Sequence, residues 1–381
     1  MKTRRRTLLA SALCLPALCA RAATQVVAPG QSLDQALRRA ADGDEIHLLA
    51  GLHRAQTGVI EQKRLTLRGV GGRAVLEAVG AHAEGKALLV VRGGDVRVED
   101  IEFRGARVPD GNGAGIRFER GRLLVNRCRF IDNEMGLLTG NIGDAELTVQ
   151  DCEFGEAPRH SAALPHLLYA GSIARLTVTG SRFSGGRRGH LLKSRAREHH
   201  IRYNHLVDGE GGSASYELEF PNGGLADVVG NVIGQSEDTD NRVMLAFGAE
   251  GSDDRPHALL ATNNTFINFG SQTGIFIRVH DGKLRGAVEQ HWVNNLCLGP
   301  GEPDAMLADS TRGNFVAALA VLQDAQGGRY ALRRDSGLRG RGIAPGMARG
   351  IDLRPTFEYT ASTGTRPLPA PAHWSPGAYQ E

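Results

Sequence analysis

The chain has 381 residues, of which 45 are Lys or Arg and 42 are Asp or Glu, so its formal net charge at pH 7 is +3. Five of the bases and none of the acids fall in residues 1–22, and the remainder of the chain has a net charge near −2. This balance excludes the strongly basic surface of proteins that bind nucleic acid or anionic membranes.

Residues 1–22 have the pattern of an export signal. A basic segment ends at Arg6, an apolar run extends from Leu8 to Ala20, and Ala20-Arg-Ala22 is a small-x-small cleavage site. We therefore expect a periplasmic or secreted protein, exported by the general or the twin-arginine route. No later apolar run reaches the roughly 20 residues that a membrane-spanning helix needs.

The segment from Ser32 to Ala40 predicts a short amphipathic helix. Ser32 is a favourable N-cap, because its hydroxyl can accept a hydrogen bond from a free amide of the first turn. Two strand-like segments follow, Asp44–Leu49 and Arg64–Arg68. The end of a stacked array of repeats exposes its core, so we expect the helix to act as a cap.

A six-residue phrase then recurs eight times. It reads apolar-x-x-small or polar-x-apolar, from Val98-Glu-Asp-Ile101-Glu-Phe103 to Trp292-Val-Asn-Asn295-Leu-Cys297. Its fourth position falls at residues 101, 128, 152, 181, 204, 231, 264 and 295. A constant phrase with variable spacers is typical of a solenoid, in which each repeat adds one coil and insertions form loops outside the wall.

The fourth position of the phrase is Asn in the last four copies, at residues 204, 231, 264 and 295. We predict that Asn adopts the left-handed conformation at a bend between two strands. We also predict that its amide bonds to the amide of the next coil, about 4.8 Å away. Cys128 and Cys152 hold this position in successive coils and should stack, either as a disulfide or as two buried thiols.

The phrase is strand-like, because its apolar positions are β-branched or aromatic and alternate with polar ones. A leucine-rich repeat would need a Leu-x-x-Leu-x-Leu frame and a helix in each repeat, and neither is present. The pattern resembles the right-handed parallel β-helix of the pectate-lyase-like superfamily, which implies an all-β solenoid with three short strands per coil. We predict this fold as one domain over residues 23–334, with the helical cap, and an extended tail over residues 335–381 packed along the solenoid. We expect a monomer.

Charged and aromatic residues gather on the strands that precede three neighbouring phrases. Because side chains alternate across a strand, we predict that Lys193 and Arg195 point outward, as do Glu217 and Glu219. In this prediction Tyr169, Lys193 and Glu217 share one column, Arg195 and Glu219 lie beside it, and His166 and His190 lie at its edge. The loop Pro221-Asn222-Gly-Gly224 follows and lets backbone approach a ligand closely.

These residue types suit β-elimination of a polysaccharide that contains uronate. The reaction removes a proton next to a carboxylate, and its transition state needs a cation beside that carboxylate. We expect Arg195 to clamp the carboxylate and Lys193 to act as the base, if Arg195 and desolvation lower its pKa. Tyr169 or His190 would protonate the leaving oxygen. Residues expected to bind an acidic polysaccharide are Glu217, Glu219, His166, Asn222 and Arg278.

Lys193-Ser194 followed by the Asn204 phrase is similar to the Lys-Ser stretch of chondroitinase-B-like and alginate-lyase-like β-helix enzymes. That resemblance implies Lys193 as the base, an Arg one coil later, and Ca²⁺ on acidic and Asn ligands. Here Arg187-Arg188-Gly189 replace the paired acids before the Lys, and Glu219 stands where the Arg would be. The sequence therefore requires no cofactor and leaves Ca²⁺ open. Two acidic loop segments, 238–241 and 250–254, could hold Ca²⁺ or be solvated loops.

Two other functions stay open. Glu217 and Glu219 are two positions apart on a strand, so their carboxyl groups should be roughly 6–7 Å apart, at the lower edge of the range for inverting glycoside hydrolases. A non-catalytic, polysaccharide-binding β-helix protein is the other alternative. In that protein the charged column would be a ladder of ion pairs. Arg278 and His280 would extend a sugar-binding groove or be ordinary surface residues.

Overall fold

The structure is a computed structural model that describes residues 22–159, 163–252, 255–302 and 306–380. The expected export signal, up to residue 21, and the acidic pair Asp253-Asp254 lie outside the described residues.

The regular secondary structure of the described residues is almost entirely β-strand. The strands are β1 (Thr24–Val27), β2 (Glu45–Arg54), β3 (Gly58–Ile60), β4 (Arg64–Glu77), β5 (Ala87–Val91), β6 (Asp95–Glu99), β7 (Ile101–Arg104), β8 (Ala114–Phe118), β9 (Arg122–Asn126), β10 (Arg129–Ile131), β11 (Met135–Thr139), β12 (Glu146–Gln150), β13 (Glu153–Gly155), β14 (His166–Ala170), β15 (Arg175–Thr179), β16 (Arg182–Ser184), β17 (His190–Ser194), β18 (Glu198–Arg202), β19 (His205–Val207), β20 (Tyr216–Phe220), β21 (Leu225–Val229), β22 (Val232–Gln235), β23 (Val243–Phe247), β24 (His257–Thr262), β25 (Thr265–Asn268), β26 (Gly274–Val279), β27 (Val288–Val293), β28 (Leu296–Leu298), β29 (Gly301–Glu302), β30 (Phe315–Ala317), β31 (Leu322–Asp324), β32 (Arg329–Leu332), β33 (Met347–Ala348), β34 (Ile351–Asp352), β35 (Phe357–Tyr359) and β36 (Thr365–Pro367). The helices are α1 (Leu33–Arg39) and three 3₁₀ turns, Asp281–Lys283, Ser310–Arg312 and Leu319–Val321.

These strands wind into a parallel solenoid. Ten of them form one sheet, in the order β3, β5, β8, β11, β14, β17, β20, β23, β26 and β29, and a twenty-stranded sheet forms the rest of the wall. A typical coil contributes β17 to the ten-stranded sheet and β18 and β19 to the twenty-stranded sheet. Three short parallel strands in each coil confirm the predicted all-β parallel β-helix.

The fourth-position Asn residues form the predicted amide ladder inside the wall. The Nδ2 groups of Asn204, Asn231 and Asn264 each donate to the Oδ1 of the next Asn at 3.0 Å. Asn295 donates in the same way to Asn314 at 3.1 Å, so the ladder continues one coil beyond the last phrase. Each of these amides is fully buried. The ladder therefore satisfies a row of polar groups that would otherwise be costly in the core.

The prediction that the fourth-position Asn adopts the left-handed conformation is wrong. The third position of the phrase adopts it, with φ values of 52° at Arg127, 57° at Tyr203 and 56° at Asn294. The fourth residue stays outside this conformation, and its side chain enters the ladder. Cys128 and Cys152 are free, buried thiols, and the Cys128 amide donates to Cys152 Sγ at 3.4 Å.

The N-terminal helix closes one end of the solenoid as predicted. Ser32 Oγ accepts a hydrogen bond from the Gln35 amide at 3.2 Å, which makes Ser32 the N-cap of α1. Leu33, Ala36 and Leu37 are buried against the core. No helix in the described ranges is long and apolar enough to cross a membrane.

The last segment of the chain runs along the twenty-stranded sheet. Two bend residues hold it, because Asn263 Nδ2 donates to Ser375 O at 3.2 Å and Asn294 Nδ2 donates to Ile343 O at 2.7 Å. Leu353 is fully buried in an apolar cluster with Tyr203 and other residues of the outer face of the sheet. These contacts bind the segment to several coils and leave the ten-stranded sheet uncovered by it.

Candidate active site on the ten-stranded sheet

A column of aligned side chains crosses the outer face of the ten-stranded sheet. Tyr169 on β14 pairs in register with Lys193 on β17, which pairs with Glu219 on β20. The column continues with Ala246 and then Arg278. The structure therefore brings Tyr169 and Lys193 together as predicted, with Glu219 in the place that was predicted for Glu217.

The prediction that Glu217 points outward is wrong. The registered pairs on either side of it place Glu217 beside Leu191, and its side chain is fully buried. Leu191 and Leu192 both lie in the core, so the alternation of inward and outward positions fails just before Lys193. Glu217 takes the additional inward position and cannot touch a ligand. The hydrolase alternative, which needed Glu217 and Glu219 on one face, loses its acid pair.

Lys193 lies between two carboxylates. Its Nζ is 3.1 Å from Oε2 of Glu219 and 2.9 Å from Oε1 of Glu250. Burial lowers the pKa of Lys193, but these two carboxylates raise it, and the net shift is upward. The expectation that Arg195 and desolvation lower this pKa is therefore wrong for the free protein, in which Lys193 is an ammonium ion.

Arg195 is held on three sides. Its Nε donates to the Tyr169 hydroxyl at 2.8 Å, and its Nη1 donates to Oδ1 of Asn222 at 2.8 Å. Its Nη2 lies 2.6 Å from Oε2 of Glu250. The loop residue Asn222, predicted to bind substrate, thus fixes the orientation of the guanidinium. Arg195 presents a rigid face that suits a planar carboxylate.

Glu250 contacts both Lys193 and Arg195, and the sequence did not predict it as a residue of this site. It lies in a turn between Gly248 and Gly251, both with positive φ, and its side chain reaches back past the coil of Glu219 to Lys193 and Arg195. The sequence places it in an acidic loop with no visible link to Lys193, 57 residues earlier. The flanking glycines indicate a tight turn but not the direction of its side chain.

His166 and His190 lie next to the column as predicted. The backbone amide of His190 donates to Nδ1 of His166 at 2.9 Å, and the His190 ring stacks on Tyr216 with centroids 5.0 Å apart. His190 Nε2 lies 3.1 Å from Glu219 Oε2. Burial lowers the pKa of both imidazoles, and Glu219 only partly offsets this for His190. Both are therefore neutral at neutral pH, and the enclosed His190 ring fixes Glu219.

An open cleft of about 830 Å³ adjoins this cluster. Three of its lining residues are basic, Arg195, Arg197 and Arg255, whereas Glu250 is its only acidic lining residue among those described. Its volume lies within the range of small-molecule sites. The described lining of the cleft therefore carries a net positive charge and includes Arg195. Arg197 and Arg255 were not predicted, because no pattern in the sequence brings their loops together.

The residues present do not fit a Ca²⁺ ion. Calcium needs six to eight oxygen ligands. The two carboxylates nearest the column, those of Glu219 and Glu250, meet at the Lys193 ammonium, and Arg195 adds a second positive charge. Among the residues that the structure describes, no group of three or more His, Cys, Asp or Glu side chains could hold a metal. Asp238 and Asp240 in the other acidic loop are exposed.

Arg278 lies in the same column as Glu219, two coils further, and is exposed. Its position agrees with an extension of the binding surface along the sheet. Its role in binding stays a prediction.

The comparisons with known proteins concern the fold. No protein-family model matches the chain, and no curated protein matches its sequence. Among solved structures it is similar to the crystal structure of pectate lyase Pel9A, with a TM-score of 0.64 and 13% identity. The match covers 94% of this chain and 96% of that chain. The protein therefore has the pectate-lyase-like parallel β-helix fold over almost its whole length.

Proposed function

We propose that this protein is an exported polysaccharide lyase that cleaves a uronate-containing polysaccharide by β-elimination. One observation carries the proposal: Lys193 and Arg195 bind the same carboxylate, that of Glu250, on the open face of the ten-stranded sheet. Lys193 Nζ is 2.9 Å from one of its oxygens, and Arg195 Nη2 is 2.6 Å from the other. A position that holds one carboxylate between an ammonium and a guanidinium suits the carboxylate of a uronate.

The proposed reaction assigns a role to each side chain. Arg195 and the Lys193 ammonium bind the uronate carboxylate, and Lys193 then releases its proton to solvent. The neutral amine removes the proton from the neighbouring carbon, C5. The electron pair of that C–H bond forms the double bond between C4 and C5, and the bond from C4 to the bridging oxygen breaks. Tyr169, whose hydroxyl bonds to Arg195, protonates the leaving oxygen. The enclosed His190 acts as a positioning residue for Glu219.

The cleft supports a polymeric and acidic substrate. Its volume of about 830 Å³ and its three arginines provide room and charge for further acidic sugars beside the reacting one. The pattern of residues 1–22 supports a location outside the cytoplasm, where such polymers occur.

The test uses the chain from residue 23, incubated with pectate, alginate and glycosaminoglycans, with and without Ca²⁺. We expect unsaturated uronate, detected by its ultraviolet absorbance. Lys193→Ala should reduce the rate by about 10²-fold or more, because it removes the base. Reducing ends without that absorbance, or a Lys193→Ala variant as active as the parent, would contradict the proposal.

A non-catalytic polysaccharide-binding protein is the second candidate. The upward shift of the Lys193 pKa favours it, because an ammonium between two carboxylates is an ion-pair ladder rather than a base. This candidate predicts binding of an acidic polysaccharide with no product of either kind.

A further inference from the structure

We propose that Glu250 is a specificity-determining residue that occupies the place of the substrate carboxylate in the free protein and must leave when a uronate binds. This inference rests on the proposed function, because it assigns the Lys193 and Arg195 face to a carboxylate of the ligand. It adds that the site is occupied by part of its own chain before any ligand arrives.

The contacts of Glu250 are those expected of a bound carboxylate. One oxygen, Oε1, lies 2.9 Å from Lys193 Nζ, and the other, Oε2, lies 2.6 Å from Arg195 Nη2. A second carboxylate cannot make the same two contacts at the same time. A uronate that binds there therefore competes directly with Glu250.

The two carboxylates around Lys193 differ in how easily they can leave. The Glu219 side chain is 4% exposed and also contacts His190, so it is a fixed part of the floor. The Glu250 side chain is 42% exposed and faces the cleft. Water reaches the Glu250 carboxylate and can replace its contacts, although its partners Lys193 and Arg195 are only 11% and 21% exposed. Glu250 is therefore the carboxylate that a ligand can displace.

The backbone of the Glu250 turn is fixed, so the exchange needs only a rotation of the side chain. The Glu250 amide donates to Pro221 O at 2.9 Å, and Asn222 Nδ2 donates to Gly251 O at 2.6 Å. On the other side, Lys283 Nζ donates to Ala249 O at 2.8 Å. No hydrogen bond to the described residues other than those with Lys193 and Arg195 holds the carboxylate in place.

This arrangement selects anionic ligands over neutral ones. A neutral sugar that displaced Glu250 would leave two cations facing a ligand with no compensating charge, whereas a uronate restores both contacts. Glu250 thus weakens the binding of all ligands and weakens that of neutral sugars most. The groups that lie near Lys193 are Glu219, Glu250, Arg195, His190, His166 and the Tyr169 ring, and of these Glu219 and Glu250 raise its pKa.

The test compares Glu250→Gln with a matched control, Glu198→Gln. Glu198 has a similar exposure, 39%, and pairs with Arg175 on the twenty-stranded sheet. Binding of galacturonate, glucuronate and glucose is measured by calorimetry or NMR, which requires no turnover. We expect Glu250→Gln to bind a uronate about five- to tenfold more tightly than the parent, and the control to bind unchanged.

A second readout follows Lys193 directly. The rate at which an amine reagent labels Lys193 is measured against pH by mass spectrometry, since only the neutral amine reacts. Glu250→Gln should shift this profile to lower pH, because one of the two carboxylates that raise the Lys193 pKa is removed. Equal or weaker uronate binding by Glu250→Gln, or an unchanged labelling profile, would overturn the inference. Tighter binding without any unsaturated product would instead keep the inference and contradict the lyase.

Discussion

At the residue scale, Glu217 is the most unusual side chain of the core. The other residues of its inward column include Leu167, Leu191, Met244 and Phe276, and neither Glu217 oxygen has a hydrogen-bond partner among the described residues. Burial raises its pKa well above the usual range, and the neighbouring Asp208 raises it further. Glu217 is therefore a protonated acid in an apolar environment.

Glu217 should make the protein less stable as the pH rises. In the unfolded chain this carboxyl ionises above its usual pKa of 4.5, whereas in the folded protein it keeps its proton to a higher pH. Each pH unit between the two pKa values therefore removes about 1.4 kcal/mol from the free energy of unfolding. We expect Glu217→Gln to match the parent near pH 4 and to exceed it in stability at pH 7, as measured by urea denaturation at both values. A difference that does not change with pH would contradict this account.

Lys193 and Glu217 show what strand alternation can and cannot predict. Alternation correctly placed Lys193 on the outer face, because Leu192 before it and Ser194 after it are buried. It failed for Glu217, because Leu191 and Leu192 both point inward although they are consecutive. Glu217 lies beside Leu191 on the next coil and points inward with it. This break in alternation is a property of the coil's backbone, and the pattern of apolar and polar residues does not predict it.

At the scale of the element, the six-residue phrase contained most of the information on the fold. Its fourth position predicted the amide ladder correctly, because a buried Asn can be satisfied only by a regular partner such as the next coil. Its third position gave no signal, because the side chain of a bend residue points outward and Asp, Arg, Tyr and Gly all occur there. The coil of Asn314 was missed because Thr311 stands at its first position instead of an apolar residue.

The amide ladder should contribute strongly to stability. Asn264 donates to Asn295 Oδ1 and to Val228 O, and accepts from Asn231. Replacing it with Ala removes these buried hydrogen bonds and the one that the Asn231 backbone amide donates to Asn264 Oδ1 at 3.0 Å. We therefore expect Asn264→Ala to lower the free energy of unfolding by about 2–4 kcal/mol. The measurement is equilibrium denaturation.

A milder substitution provides the control for the ladder. Ser181 holds the same position in the fourth copy of the phrase. Its hydroxyl accepts a hydrogen bond from the Cys152 amide at 3.1 Å. Asn264→Ser keeps such an acceptor and should lose less stability than Asn264→Ala. Equal losses in both variants would mean that the ladder contributes through packing rather than hydrogen bonds.

At the scale of the whole molecule, the final segment and the charged cluster lie on different sheets. Leu353 packs on Tyr203, Val229, Ala258 and Leu260 of the twenty-stranded sheet, and it is fully buried. Leu353→Ala should therefore lower the free energy of unfolding by about 2–4 kcal/mol through the cavity that it creates. It should leave uronate binding unchanged, since no residue of the cluster touches this segment. A loss of binding without a loss of stability would show that the two faces communicate.

The whole site could be only partly predicted from the sequence. Tyr169, Lys193, Arg195, His166, His190, Glu219 and Asn222 were found because they occur near one another on successive strands or in the loop that follows them. Glu250 and the cleft arginines Arg197 and Arg255 were not, since their place depends on how irregular loops fold over the wall. In regular strands, the spacing of residues along the sequence predicts their positions in the structure, whereas in loops it does not.

The position of the charged cluster along the solenoid has a consequence for its durability. The residues of the cluster lie on β14, β17 and β20 and in the turn after β23. These four strands are the fifth to the eighth of the ten in their sheet. In a linear array each coil touches only its neighbours, so partial opening begins at the termini and moves inward one coil at a time. The first coils to exchange their amide protons with solvent are therefore remote from Lys193. The binding face therefore stays folded while the terminal coils at both ends of the solenoid open and close.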